Sequence, residues 1–114
     1  MPTLLCVDDS KTALYARKLV LEKAGYYVVT ATDVRAAMQV FTSLEVDVVL
    51  TDYFLQDTTC SQLISEMKRL RPHIPVVILS GAVEVLEDIT QADLFISKVE
   101  APPVMLQKLS ELLR

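Results

Sequence analysis

Apolar residues gather in five short runs, at Thr3 to Val7, Tyr27 to Thr30, Val46 to Thr51, Val76 to Ser80 and Leu94 to Ser97, and three of these are almost unbroken Val, Ile or Leu. Runs of that length and composition suit parallel strands covered on both faces. Segments of helical length follow them at Lys11 to Ala24, Val34 to Leu44, Ser61 to Arg71, a shorter Val83 to Gln91, and Pro103 to Leu113. The alternation predicts a (βα)5 chain.

Local punctuation supports these elements. Ser10 and Asp33 stand where N-caps belong, Gly25 where the first helix should end, and Pro102 with Pro103 at the opening of the last helix. A helical wheel of the first helix gathers Ala13, Ala16, Val20, Leu21 and Ala24 on one side, facing the sheet, and puts Tyr15 and Leu19 on the other. No repeat or linker interrupts the chain, so one domain is expected over residues 1–114. Right-handed crossovers then give an α/β, doubly wound open parallel sheet of order 2-1-3-4-5, which binds ligands at the carboxyl ends of its strands.

Composition changes this picture little. Apolar residues make up 52% and charged residues 23% of the 114, a globular balance. A net charge of −4 offers no general attraction to phosphate backbones, so no direct nucleic-acid partner is expected. No apolar run is long enough to cross a bilayer and no signal peptide opens the chain, so no membrane association and a cytoplasmic location are expected. Cys6 and Cys60 lack metal-ligand spacing and read as reduced structural thiols, and His73, between Pro72 and Pro75, as a solvated loop residue.

The candidate chemistry lies where the strands end. The first run closes in Val7-Asp8-Asp9-Ser10, the third in Leu50-Thr51-Asp52, the fourth in Leu79-Ser80-Gly81 and the fifth in Ile96-Ser97-Lys98. Each alone has a plain reading: Asp-Asp-Ser as a helix cap, Asp52 as turn chemistry, Ser80-Gly81 as a loop, Lys98 as a solvated lysine. Together they fall at one edge of the predicted sheet. Three carboxylates meeting there require a counter-charge, which a hard divalent cation with oxygen ligands provides. If one carboxylate is a nucleophile toward phosphorus, Lys98 is a second cation and Ser80 a hydroxyl donor for the phosphoryl oxygens.

Asp8-Asp9, Asp52, Ser80 and Lys98 on a (βα)5 chain resemble the response-regulator receiver domains of two-component signalling, over essentially the whole length. The resemblance implies Asp52 as phosphoacceptor, Asp8 and Asp9 as acids for Mg2+ or Mn2+, Phe54 as donor of a backbone carbonyl to the metal, Ser80 as switch hydroxyl, Lys98 as its paired lysine and Phe95 as switch aromatic. It also implies a signalling switch that catalyses only its own phosphorylation and dephosphorylation. The implied partners are a histidine kinase or histidine phosphotransfer protein upstream, docking near Tyr15 and Leu19, and downstream an effector protein or an effector domain outside this chain. Weak self-association is implied as well.

The chain departs from the family pattern in three places. Val99 follows Lys98 where proline is usual, so a rebuilt loop is expected there. Gln56 and Cys60 replace the usual proline and glycine after the phosphoacceptor, implying a differently shaped loop into the third helix. The stretch from Ser80 to Phe95 is about one turn short, trimming the fourth helix. These altered loops motivate a rival reading, a pseudo-receiver that serves as a phosphorylation-independent interaction module. A flavodoxin-like binding protein or phosphohydrolase is disfavoured because acids, and no glycine-rich or hydroxyl-rich phosphate loop, follow the first strand.

Overall fold

The computed structural model describes residues 1–56, 58–81 and 91–114. The elements are β1 (Thr3–Val7), α1 (Lys11–Lys23), β2 (Tyr27–Ala31), α2 (Val34–Ser43), β3 (Val48–Asp52), β4 (Phe54–Leu55), β5 (Thr58–Thr59), α3 (Ser61–Leu70), β6 (Val76–Ser80), β7 (Leu94–Ser97) and α4 (Pro102–Leu112). The main sheet is parallel throughout, in the order β2-β1-β3-β6-β7. Counting its own five strands, this is the 2-1-3-4-5 order expected from the sequence. The helix expected over Val83 to Gln91 falls, but for Gln91, outside the described residues.

Both faces of the sheet are covered, which is why its central strands read as continuous apolar runs. Leu5, Val7, Val49, Val76 and Ile78 pack with Phe41 of α2 and Leu63, Ile64 and Met67 of α3. The alternate residues Leu4, Cys6, Leu50, Val77, Leu79 and Ile96 pack with Leu14 and Leu21 of α1 and Met105 and Leu109 of α4. Strand parity therefore assigns every residue at a strand's end to one face or the other.

The expected helix ends are largely found. Ser10 Oγ accepts from Ala13 N and Asp33 Oδ1 from Ala36 N, Gly25 takes a positive φ of 102° just past α1, and Pro102 opens α4. The wheel of α1 requires correction. Leu14 and Leu21 are its buried residues, Ala13, Arg17 and Val20 are half-buried, and Ala16 and Ala24 are exposed. Ala13, Val20 and Leu21 lie on the expected side and Tyr15 and Leu19 on the other, but counting alanine as core and arginine as surface shifted the stripe toward Ala16 and Ala24. The long side chains of Leu14 and Leu21 decide the seam, and Arg17 lies on it because it has a buried partner.

Two local differences follow from hydrogen bonding. Val46 is buried yet precedes β3, because Asp47 is engaged with Thr3, its amide donating to Thr3 O and its carboxylate accepting from Thr3 N, before the ladder begins. The segment after Asp52 forms a short antiparallel hairpin, β4 with β5, that no hydrophobic pattern announced.

Candidate functional site at the carboxyl edge of the sheet

Parity explains the convergence of charge. Asp8 continues the Leu4, Cys6 side of β1, Asp52 the Val48, Leu50 side of β3, and Lys98 the Leu94, Ile96 side of β7, all toward α1 and α4. Oxygens of Asp8, Asp9 and Asp52 lie within 4.8 Å of one another. Asp8 and Asp52 are buried, and Asp9 is exposed.

Each carboxylate has its own partners. Asp52 Oδ1 accepts from Lys98 Nζ at 2.7 Å and from the Tyr53 amide at 3.1 Å. Asp8 Oδ1 accepts from the Ser10 amide at 2.9 Å, while its Oδ2 pairs with Arg17 Nη1 at 3.2 Å and lies 4.0 Å from Lys98 Nζ. Asp9 Oδ2 accepts from the Gln56 amide at 3.0 Å. Gln56 carries a φ of 58°, a left-handed conformation unusual for a side chain with a Cβ, and it points that amide at Asp9. A proline at this position could neither adopt that φ nor donate.

Ser80 ends β6 beside Lys98, whose amide donates to Ser80 O at 2.8 Å. The turn after Lys98 is closed without proline: the Glu100 amide donates to Ser97 O and the Val99 amide to Ser97 Oγ. No peptide among the described residues is cis. Glu100 then pairs with Lys108, anchoring the turn to α4. Phe54 is 59% exposed with its ring edge-on to Tyr53 at 4.6 Å, and Phe95 is 42% exposed. Tyr15 and Leu19 are exposed on α1, and His73 is exposed.

Arg17 is the site residue that the pattern of strand ends missed. The signal was present: a basic residue on the stripe of Ala13, Val20 and Leu21, one turn from Ala13 and one from Leu21. Its guanidinium also lies 3.8 Å from Cys6 Sγ. Burial pushes the Cys6 thiol up, and Arg17 pulls it only partly back, so Cys6 stays a protonated core thiol.

The donor set suits magnesium. Among the described residues three hard carboxylate oxygens are gathered at the carboxyl edge of the sheet, and a small dication that keeps some of its waters needs no more. Among the described residues no helix is long and apolar enough to cross a membrane.

Residues 4–110 match the family model of the response regulator receiver domain. The transcriptional regulatory protein GlrR of Escherichia coli is 35% identical over 78 residues, covering 68% of this chain and 18% of that protein. The phosphate regulon transcriptional regulatory protein PhoB of Pseudomonas aeruginosa is 30% identical over 118 residues, covering 98% of this chain and 52% of that protein. The chain thus spans between about a fifth and about half of these relatives. Among solved structures, a receiver domain protein from Methanospirillum hungatei superimposes with a TM-score of 0.91 at 27% identity, covering 99% of this chain and 94% of that one. The response regulator TrrA of Thermotoga maritima, solved in complex with Mg2+-BeF, gives 0.92 at 23% identity, covering 99% of this chain and all of that one (100%). The family match over residues 4–110, on this sheet order and with an acidic cluster that could hold a divalent ion, makes the chain a member of the response-regulator receiver family of two-component signalling.

Proposed function

We propose that this receiver is a phosphorylation switch in which Asp52 takes a phosphoryl group from the phosphohistidine of a histidine kinase or phosphotransfer protein. The observation that carries the reading is Asp52 itself: a buried carboxylate at a strand end, held through Oδ1 by Lys98 and the Tyr53 amide. Among the described residues Oδ2 is left to attack phosphorus. The nitrogen–phosphorus bond of the donor breaks, an oxygen–phosphorus bond forms, and the imidazole keeps the electron pair.

Asp8, Asp9, Asp52 and the Phe54 carbonyl would hold Mg2+ or Mn2+. Bound there, the ion supplies positive charge to the phosphoryl oxygens as they approach. Lys98 supplies the second cation, and loses its hold on the carboxylate as Asp52 becomes an acyl phosphate, becoming available to a phosphoryl oxygen. Ser80, at the end of β6, is the hydroxyl that turns toward the new charge, with Phe95 following it, and the changed surface acts on an effector protein or an effector domain outside these residues. The exposed pair Tyr15 and Leu19 flanks the site as the docking patch for the donor protein.

The two departures that fall on described residues do not favour the pseudo-receiver reading. The hairpin after Asp52 and the turn after Lys98 are both hydrogen-bonded, and both leave Asp52 and Lys98 in contact. Incubation with acetyl phosphate, with and without Mg2+, followed by intact mass, tests the function. A Mg2+-dependent gain of one phosphoryl group in the wild type and none in Asp52→Ala is the expected result; no gain in folded wild type with metal present would leave an interaction module.

A further inference from the structure

Arg17 occupies a place on α1 where the neighbouring sheet-facing side chains are apolar, and its side chain is 13% exposed against 2% for that of its partner Asp8. An ion pair this well buried costs desolvation on both sides and persists only where each charge needs the other. Asp8 does need one. It lies within the cluster of three carboxylates, and Lys98, the other cation at the site among the described residues, is committed to Asp52 at 2.7 Å and lies 4.0 Å from Asp8. The contact falls on Asp8 Oδ2, because Oδ1 is already taken by the Ser10 amide.

Charge counting gives this arrangement a consequence. Among the described residues of the metal-free pocket, three carboxylates face two cations, leaving one excess negative charge. A dication turns that into one excess positive charge. Phosphorylating Asp52 to the acyl phosphate replaces its single charge with the roughly two negative charges of a phosphoryl group, which brings the pocket to neutrality. Without Arg17 the pocket would be strongly acidic when empty, neutral with the metal alone, and negative once phosphorylated.

We propose that Arg17 is a built-in rival of the divalent ion: it holds Asp8 in the resting pocket, weakens metal binding there, and biases the metal-loaded pocket toward accepting the phosphoryl charge. This rests on the magnesium reading above and adds a positioning residue to it. Repulsion between a guanidinium and a dication sharing one carboxylate is large even at a protein-like dielectric. Part of it is returned when Asp8 is released, so a change of about tenfold in metal affinity is expected on neutralising Arg17.

The test is a calorimetric titration of Mg2+ into the 114-residue chain without phosphodonor, for wild type, Arg17→Met, Arg17→Gln and Arg17→Lys, with Asp9→Asn as the site control. Both neutral variants should bind about tenfold tighter than wild type and gain more in melting temperature on adding Mg2+, while Arg17→Lys stays close to wild type. A neutral variant that folds only when Mg2+ is added also supports the proposal, since the metal then replaces the missing counter-charge. Equal or weaker binding in the neutral variants overturns it, as does a neutral variant that stays unfolded at saturating Mg2+ while Arg17→Lys folds; Arg17 would then be a structural ion pair alone. If wild-type binding is measurable and lost in Asp9→Asn, that failure belongs to Arg17 only. Absence of binding in wild type and all variants removes the magnesium reading with it, and binding that appears only in the neutral variants is the proposal in its strongest form.

Discussion

The two edges of the sheet handle charge in opposite ways. At the amino edge, beneath α2 and α3, Lys68 donates to Ile74 O and pairs with Asp93, whose Oδ2 also accepts from the Val76 amide. Arg71 there donates to Phe41 O and Leu44 O, the free carbonyls at the end of α2, and lies over the Phe41 ring. Each cation is met by fixed backbone acceptors, and the network ties loops down. At the carboxyl edge, beneath α1 and α4, three carboxylates face Arg17 and Lys98, and among the described residues acid remains in excess. An edge whose polar groups are matched within the fold serves stability, whereas an edge left with surplus charge is prepared for a ligand of the opposite sign.

Substitutions at the two edges should therefore separate activity from stability. The largest effect is expected from Lys98→Ala, which removes the cation on Asp52 and should slow phosphoryl gain from acetyl phosphate by about a hundredfold while changing stability little. Its amino-edge counterpart, Lys68→Ala, takes the cation from Asp93 and the side-chain donor from Ile74 O. It should cost about 2 kcal/mol in urea unfolding with the phosphorylation rate unchanged; a comparable loss of rate would erase the distinction between the edges.

Three smaller effects sharpen the picture of the carboxyl edge. Leu19→Asp should slow transfer from a histidine-containing donor protein about tenfold, in line with loss of one docking side chain, and leave transfer from acetyl phosphate alone. Gln56→Gly keeps the amide that faces Asp9 and relieves the left-handed conformation, so a gain of about 0.5–1 kcal/mol in unfolding free energy is expected. Phe54→Asn opens the exposed mouth of the site to water. Dephosphorylation followed by loss of the intact-mass adduct should run about threefold faster; slower decay would show that Phe54 shields nothing.

Much of this edge could be read from the chain because strand parity and strand ends are local properties. Asp8, Asp52, Ser80 and Lys98 each follow an apolar run directly, and the sheet order carries them together. Arg17 could not be found that way. Its burial depends on Asp8, just past the end of β1 and nine residues away in sequence, and a wheel that sorts by residue type places any arginine in solvent. The β4–β5 hairpin escaped for a related reason: two-residue strands have no periodicity, and Gln56 gives no glycine-like sign of a positive φ. The polar network of Lys68 and Arg71 with backbone carbonyls is likewise invisible to patterning, since its acceptors belong to every residue.

The central claim is that Asp52 carries the phosphoryl group, and borohydride reduction of the acetyl phosphate-treated protein tests it most directly, because an acyl phosphate is reduced to the alcohol where a free carboxylate is not. Peptide sequencing by mass spectrometry should find homoserine at position 52 alone, dependent on Mg2+ and on the phosphodonor. Homoserine at position 8 or 9, or a phosphoryl adduct that survives borohydride unreduced, would contradict the account.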